Sequence, residues 1–181
     1  MDIYKLKFTR LQNEIFRLLC VKSGGKMSQR QIAKILKVSP TAVAKSIKDL
    51  EKYDLIKIEK DKRLKLTYIE LNRDSEKSIS FKRVENLKMI YESELDVYLE
   101  GNFPGAAIIL FGSFSRGDDR VESDIDIAIV GIKRKDLNLE NFEKLLERKI
   151  IINFYSSFHE IEKHLRNNIF NGIILTGGVE L

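Results

Sequence analysis

Residues 111–131 read FGSFSRGDDRVESDIDIAIVG, and the fold of the second half of the chain turns on them. The preceding residues 106–111, AAIILF, are a short apolar run of buried-strand type that ends at Gly112-Ser113. The chain must turn sharply there. Glycine permits a positive φ and lets a ligand approach the backbone, while Ser113 and the N–H groups after it can cup an anion at the start of a short helix. Arg116 and Gly117 continue a loop able to close over a phosphate, and Ser123 leads into a second strand over residues 123–130. On that strand, the period of two puts Asp124, Asp126 and Ala128 on one face and Ile125, Ile127 and Ile129 on the other. The two carboxylates then project side by side, with Cα atoms about 7 Å apart. No lysine on that face relieves their repulsion. A hard divalent cation would, because Mg²⁺ is commonly held by one or two carboxylates together with nucleotide phosphates.

Gly112-Ser113, Arg116-Gly117 and Ser123-Asp124-Ile125-Asp126 together resemble the motif of the minimal nucleotidyltransferases of the DNA polymerase beta superfamily. The resemblance spans about residues 101–181 and implies a mixed sheet with helices. It also implies roles for residues: Gly112, Ser113, Arg116 and Ser123 would bind a nucleoside triphosphate, and Asp124 and Asp126 would ligate Mg²⁺ as the catalytic carboxylates. An acceptor hydroxyl would attack the α-phosphate and release pyrophosphate. Active relatives carry a third carboxylate on the next strand. Here that strand is KIIINFYS, which has no acid, and its nearest polar candidate is Asn153, which cannot act as a base. Two readings stay open: the site binds nucleotide without turnover, or the base comes from elsewhere. His159 and His164, the only two histidines, show no metal-ligand spacing and are assigned to the surface of a helix beginning near Ser157. The run 172–175 is expected to close the sheet as an edge strand.

Charge divides the chain. Residues 1–80 hold 19 Lys and Arg against 10 Asp and Glu, a net +9, whereas residues 81–181 hold 13 against 17, a net −4. A basic first half calls for a polyanionic partner, and an acidic second half is unsuited to lying along phosphates unless a metal intervenes. No apolar run approaches the roughly 18–20 residues needed to cross a bilayer, and the N-terminus lacks a hydrophobic signal region, so a cytoplasmic protein is expected. The lone Cys20 lies in an apolar run and reads as core filling.

The basic half opens with helical periodicity at Leu11, Ile15, Leu18 and Leu19, behind Thr9 as N-cap. A second helix starts at the capping box Ser28–Gln31 and shows Ile32, Ile35 and Leu36 as its stripe. Ser39-Pro40 opens a third, with Val43, Ile47 and Leu50 facing inward. The turn between helices two and three is short, which is helix-turn-helix spacing. Residues 55–71 then alternate apolar and polar around a charged turn at 59–63, the pattern of a hairpin. Over about residues 9–72 this resembles the winged helix-turn-helix domains of transcription regulators. The resemblance implies double-stranded DNA as partner, met by Ser39, Thr41, Ala42, Lys45 and Lys48 on the third helix and by Lys60, Lys62 and Arg63 on the wing.

Between the halves, Phe81, Val84, Leu87, Tyr91, Leu95 and Tyr98 advance by three or four, which predicts one helix of some seven turns over 75–100. The expected plan is of α/β and α+β class: a winged helix-turn-helix over 1–72, a long linker helix over 73–100, and a nucleotidyltransferase-like mixed sheet with helices over 101–181. Palindromic DNA sites would call for a homodimer. Minimal nucleotidyltransferases also stand beside helical, toxin-like partner proteins, which makes such a protein a further expected partner.

Overall fold

The computed structural model describes residues 7–178. The chain separates into two compact units, Met1–Lys82 and Arg83–Leu181.

In the first unit, α1 (Arg10–Val21), α2 (Gln29–Leu36) and α3 (Pro40–Lys52) pack against a three-stranded antiparallel sheet of β1 (Met27–Ser28), β2 (Ile56–Asp61) and β3 (Leu66–Leu71), in the order β1-β3-β2. Each helix starts where the sequence signals it. Thr9 and Ser28 form capping boxes with Gln12 and Gln31, and Ser39 caps α3 with Pro40 in its first turn. Each such cap satisfies backbone N–H groups that the helix cannot. The core gathers Ile15, Leu19, Cys20, Ile32, Val43, Ile47, Leu50, Leu55 and Ile69. Among the polar side chains buried beside it, Gln12, 5% exposed, donates from Nε2 to Asp49 Oδ2 at 2.8 Å and ties α1 to α3.

Two details depart from the sequence pattern. Ile35, expected in the stripe of α2, is 49% exposed. The hairpin turn lies later than expected, after Asp61 instead of around 59–63, and leaves Leu64 at its tip 62% exposed. Asp61 causes the shift, because its Oδ1 accepts the N–H groups of both Arg63 (2.8 Å) and Leu64 (2.9 Å) and so folds an Asx turn there. Lys60 therefore sits on β2 and not in the turn.

The expected seven-turn helix is two helices, α4 (Glu76–Glu92) and α5 (Leu95–Asn102). At the break, Ser93 Oγ donates to Ile90 O at 2.7 Å, and Glu94 stands left-handed at φ 58°. The buried Leu95 and Leu99 hold α5 in its new direction. The expected stripe is also displaced, since Val84 (65%) and Tyr91 (45%) are exposed whereas Ser78, Lys82, Asn86, Met89 and Ile90 are buried.

The second unit carries a four-stranded mixed sheet in the order β6-β5-β4-β7, formed by β4 (Ala107–Phe111), β5 (Ile125–Val130), β6 (Ile150–Tyr155) and β7 (Ile173–Thr176). β4 is antiparallel to β5 and β7, and β5 is parallel to β6. The tail forms the edge strand β7 as expected. On one face Ala107, Ile109, Phe111, Ala128 and Val130 meet Phe158 of the 3-10 turn Phe158–Glu160, Ile161 just after it, and Ile169 of α8 (Lys163–Phe170). The remaining helices are the five-residue α6 (Gly112–Arg116) and α7 (Glu140–Leu146). His159 lies in the 3-10 turn and His164 in α8, both exposed. Among the described residues, no helix is long and apolar enough to cross a membrane.

Removing the Ser28 cap with Ser28→Ala is expected to lower the stability of the first unit by about 1 kcal/mol in urea unfolding. An unchanged midpoint would mean the capping box contributes nothing.

Candidate active site and nucleic-acid face

The apolar strand β4 ends at Phe111, which lies opposite Asp126 of β5. The next residue, Gly112, turns the chain into α6 at φ 75°. A β-carbon at Gly112 would collide with Asp126 Oδ2 and lie 3.3 Å from its Cγ. The turn and the second aspartate are therefore in contact, and only glycine fits between them.

The loop that follows is closed by its own hydrogen bonds. Gly117 and Asp118 donate their N–H groups to Ser113 O at 3.0 and 3.2 Å. Gly117, left-handed at φ 82°, ends α6. Arg116 is exposed and lies over α8, with Nη1 3.2 Å from Asn168 Oδ1 and Nε 3.2 Å from Asp118 Oδ2. Ser115 Oγ donates to Gly112 O at 2.9 Å. Ser123 is committed locally: its Oγ accepts the N–H of Arg120 at 3.0 Å, closing the turn before the aspartates.

Asp124 is exposed just ahead of β5, which begins at Ile125, later than the expected start at 123. Asp126 is half-buried on the strand, on the face shared with Ala128 and Val130. Burial first, and the charge of Asp124 second, push the Asp126 carboxyl above its ordinary value, with Arg116 opposing them. On β6 the residue opposite Asp126 is Ile151, 42% exposed, and Asn153 lies opposite Ala128, two residues further along. A cavity of about 500 Å³ opens on the flank of Asp124, lined by Glu122, Ser123, Glu140, Lys144, Glu147 and Lys149 among others. Gly112, Ser113 and Asp126 do not line it. No group of three or more His, Cys, Asp or Glu residues is placed to hold a metal ion among the described residues.

In the first unit, Ser39, Thr41, Lys45 and Lys48 are exposed on α3, and Ala42 is half-buried among them. The Ser39 hydroxyl accepts the Ala42 N–H at 3.1 Å. Lys60, Lys62 and Arg63 are exposed on the hairpin. The sequence pattern missed Lys26 and Lys57, which form ion pairs with Glu59 and Asp74 on the same unit.

The raised Asp126 carboxyl gives a pH test on metal-free protein. A carboxyl raised by folding favours the folded state below its ordinary value, and that contribution is lost as pH rises through the raised one. Asp126→Asn escapes this loss. Its melting temperature in chelator is expected to exceed that of the wild type at pH 7 and to converge with it near about pH 3. A variant less stable than the wild type at pH 7 would contradict the burial and repulsion at this position.

Comparison with known protein families places both halves. Residues 14–57 match the model described as winged helix-turn-helix DNA-binding, and residues 92–176 match that of the nucleotidyltransferase domain. No curated protein matches the chain. Among solved structures, the adhesin competence repressor AdcR from Streptococcus pyogenes is similar at 29% identity and a TM-score of 0.40, over 55% of this chain and 70% of that one. The zinc-responsive MarR family member ZitR of Lactococcus lactis is similar at 29% identity and a TM-score of 0.38, over 55% of this chain and 65% of that one. Neither score is high enough to equate the folds. The family matches and the geometry agree on one organisation: the chain joins a winged helix-turn-helix DNA-binding domain to a nucleotidyltransferase domain.

Proposed function

We propose that the second unit binds a nucleoside triphosphate with Mg²⁺ and transfers its nucleoside monophosphate to a hydroxyl acceptor, while the first unit brings this site to double-stranded DNA as part of a transcription regulator. The contact between Gly112 and the Asp126 carboxylate carries the reading. It makes the phosphate turn and the acidic pair one site.

The donor set suits a hard divalent cation. Two carboxylates, one of them half-buried with its ionised form disfavoured by burial and then by its neighbour, supply part of an oxygen shell and leave the rest to phosphates and water. Asp124 and Asp126 would hold the ion, which when bound supplies charge neutralisation at the phosphates. Ser113 and the backbone of its turn orient the triphosphate, and Arg116 at the rim of the loop offers a cation to it. The acceptor would enter through the cavity beside Asp124. Because Ile151 stands opposite Asp126 on β6, the acceptor proton must leave to a group off that strand or to water. A homodimer fits the DNA-binding role, since two helices α3 could then read both halves of a palindrome. A helical, toxin-like partner protein and a cytoplasmic location belong to the same reading.

Nucleotide at about 100 times its dissociation constant should stabilise the native state by roughly 2.7 kcal/mol in the presence of Mg²⁺. This shift is expected with the wild type and not with Asp124→Asn/Asp126→Asn. No shift with any of the four NTPs would sink the nucleotide reading. On the DNA side, Lys45→Ala and Lys48→Ala should each flatten the dependence of log affinity on log salt by about one unit, measured by anisotropy with a duplex. Slopes equal to that of the wild type would remove these lysines from the interface.

A further inference from the structure

The five-residue α6 carries the Gly112-Ser113 turn, and it has no side-chain cap at its N-terminus. A single helical turn does not hold itself in water, because one or two hydrogen bonds do not offset the ordering of its residues. Something outside it must fix its place. Asn86 of α4 meets that need. Its Nδ2 donates to Phe114 O at 2.8 Å and to Asp119 Oδ1 at 2.7 Å, so both amide hydrogens are spent on the loop. Asn86 and Asp119 are each 1% exposed. On the far side of Asp119, Arg148, 5% exposed, brings Nη2 to 3.6 Å from Asp119 Oδ2. Arg148 also donates from Nη1 to Glu147 O at 2.9 Å, and the adjacent Lys149 O accepts the N–H of Ile125, next to both aspartates, at 2.8 Å.

We propose that Asn86, Asp119 and Arg148 are positioning residues for nucleotide binding: a buried chain of one amide and one ion pair that clamps the loop 112–124 between α4 and the start of β6. The proposal rests on the reading of that loop as the nucleotide site. A carboxylate and a guanidinium inside a protein cost free energy unless paired and hydrogen-bonded, and an apolar contact could have held the loop without that cost. What the polar chain adds is direction. Hydrogen bonds fix Phe114 and Asp119 at set distances, whereas an apolar contact would let the turn slide past Asp126. None of the three side chains needs to touch the nucleotide.

The test compares two variants within one unit. Asn86→Ala removes the amide, and Leu99→Ala, at a fully buried site on α5, is a control that loses stability from a different element. Mg²⁺-NTP affinity is measured by calorimetry at a temperature where both are folded. Asn86→Ala is expected to bind at least tenfold more weakly than the wild type, and Leu99→Ala within about twofold of it. Equal losses in the two variants would overturn the proposal, because general loosening would then explain both. So would wild-type affinity in a folded Asn86→Ala. Asp119→Asn, which keeps the acceptor for Asn86 and removes the charge facing Arg148, takes its place should Asn86→Ala fail to fold. Amide exchange across residues 113–120 separates this proposal from the nucleotide reading beneath it. If the wild type binds no NTP, that reading fails, and faster exchange in Asn86→Ala than in Leu99→Ala still upholds the clamp. Unchanged exchange overturns it.

Discussion

The approach of Gly112 to Asp126 is the constraint on which the second unit depends. Strand register brings it about: Phe111 lies opposite Asp126, so the first residue past β4 must turn directly over a carboxylate. Any side chain there would meet Asp126, and the φ of 75° is one that L residues rarely adopt. The strands fix that register from both faces. Ile108 and Leu110 are buried on one side, and Ala107, Ile109 and Phe111 on the other. Slipping β4 by one residue would exchange these sets and lift the turn away from the aspartates. The apolar core of the sheet thus sets the geometry of a polar site.

Around that contact the unit holds its charges in unequal conditions. Asp119 and Arg148 are buried and face each other, whereas Asp126 is raised by burial and by the charge of Asp124, which Arg116 offsets only in part. The first pair is matched in charge within the chain. If the aspartate pair binds a divalent cation as proposed, that ion would relieve the repulsion. The first unit shows the complementary case, with lysines exposed along α3 and the hairpin, a basic surface of the kind that attracts polyanions.

Much of this was legible in the residues. Caps were easiest to read, because Thr9, Ser28 and Ser39 act through neighbours three positions away. The alternation from Asp124 to Val130 also gave the correct faces, although the strand begins one residue after Asp124. Reading failed where polar side chains take the place of apolar ones. On α4 the buried face runs through Ser78, Lys82 and Asn86, so apolar periodicity selected Val84 and Tyr91, which face water. Ser78 is buried because its Oγ donates to Leu55 O at 2.9 Å, a partner 23 residues away that no local pattern reveals. Likewise, Asp61 moved the hairpin turn through a side-chain bond to the backbone, leaving Leu64 exposed. The Asn86–Asp119–Arg148 chain was invisible for the same reason, since its members come from three separate segments.

The third carboxylate position shows what register adds to a motif. From composition alone, Asn153 stood out as the polar residue on β6. Pairing places it opposite Ala128, about 6.6 Å along the strand from the level of Asp126, and leaves Ile151 at that level. An isoleucine there can neither share a cation with Asp126 nor take a proton. Ile151 is itself 42% exposed and offers no polar atom to the carboxylate. The chemistry the site can still perform then divides cleanly. On the proposed function, the turn, the loop and the two acids would hold the triphosphate, and Gly112 and Asp126 lie in contact. The proposed transfer would also have to move a proton, for which β6 places no acid at the level of Asp126, so that group would have to come from elsewhere.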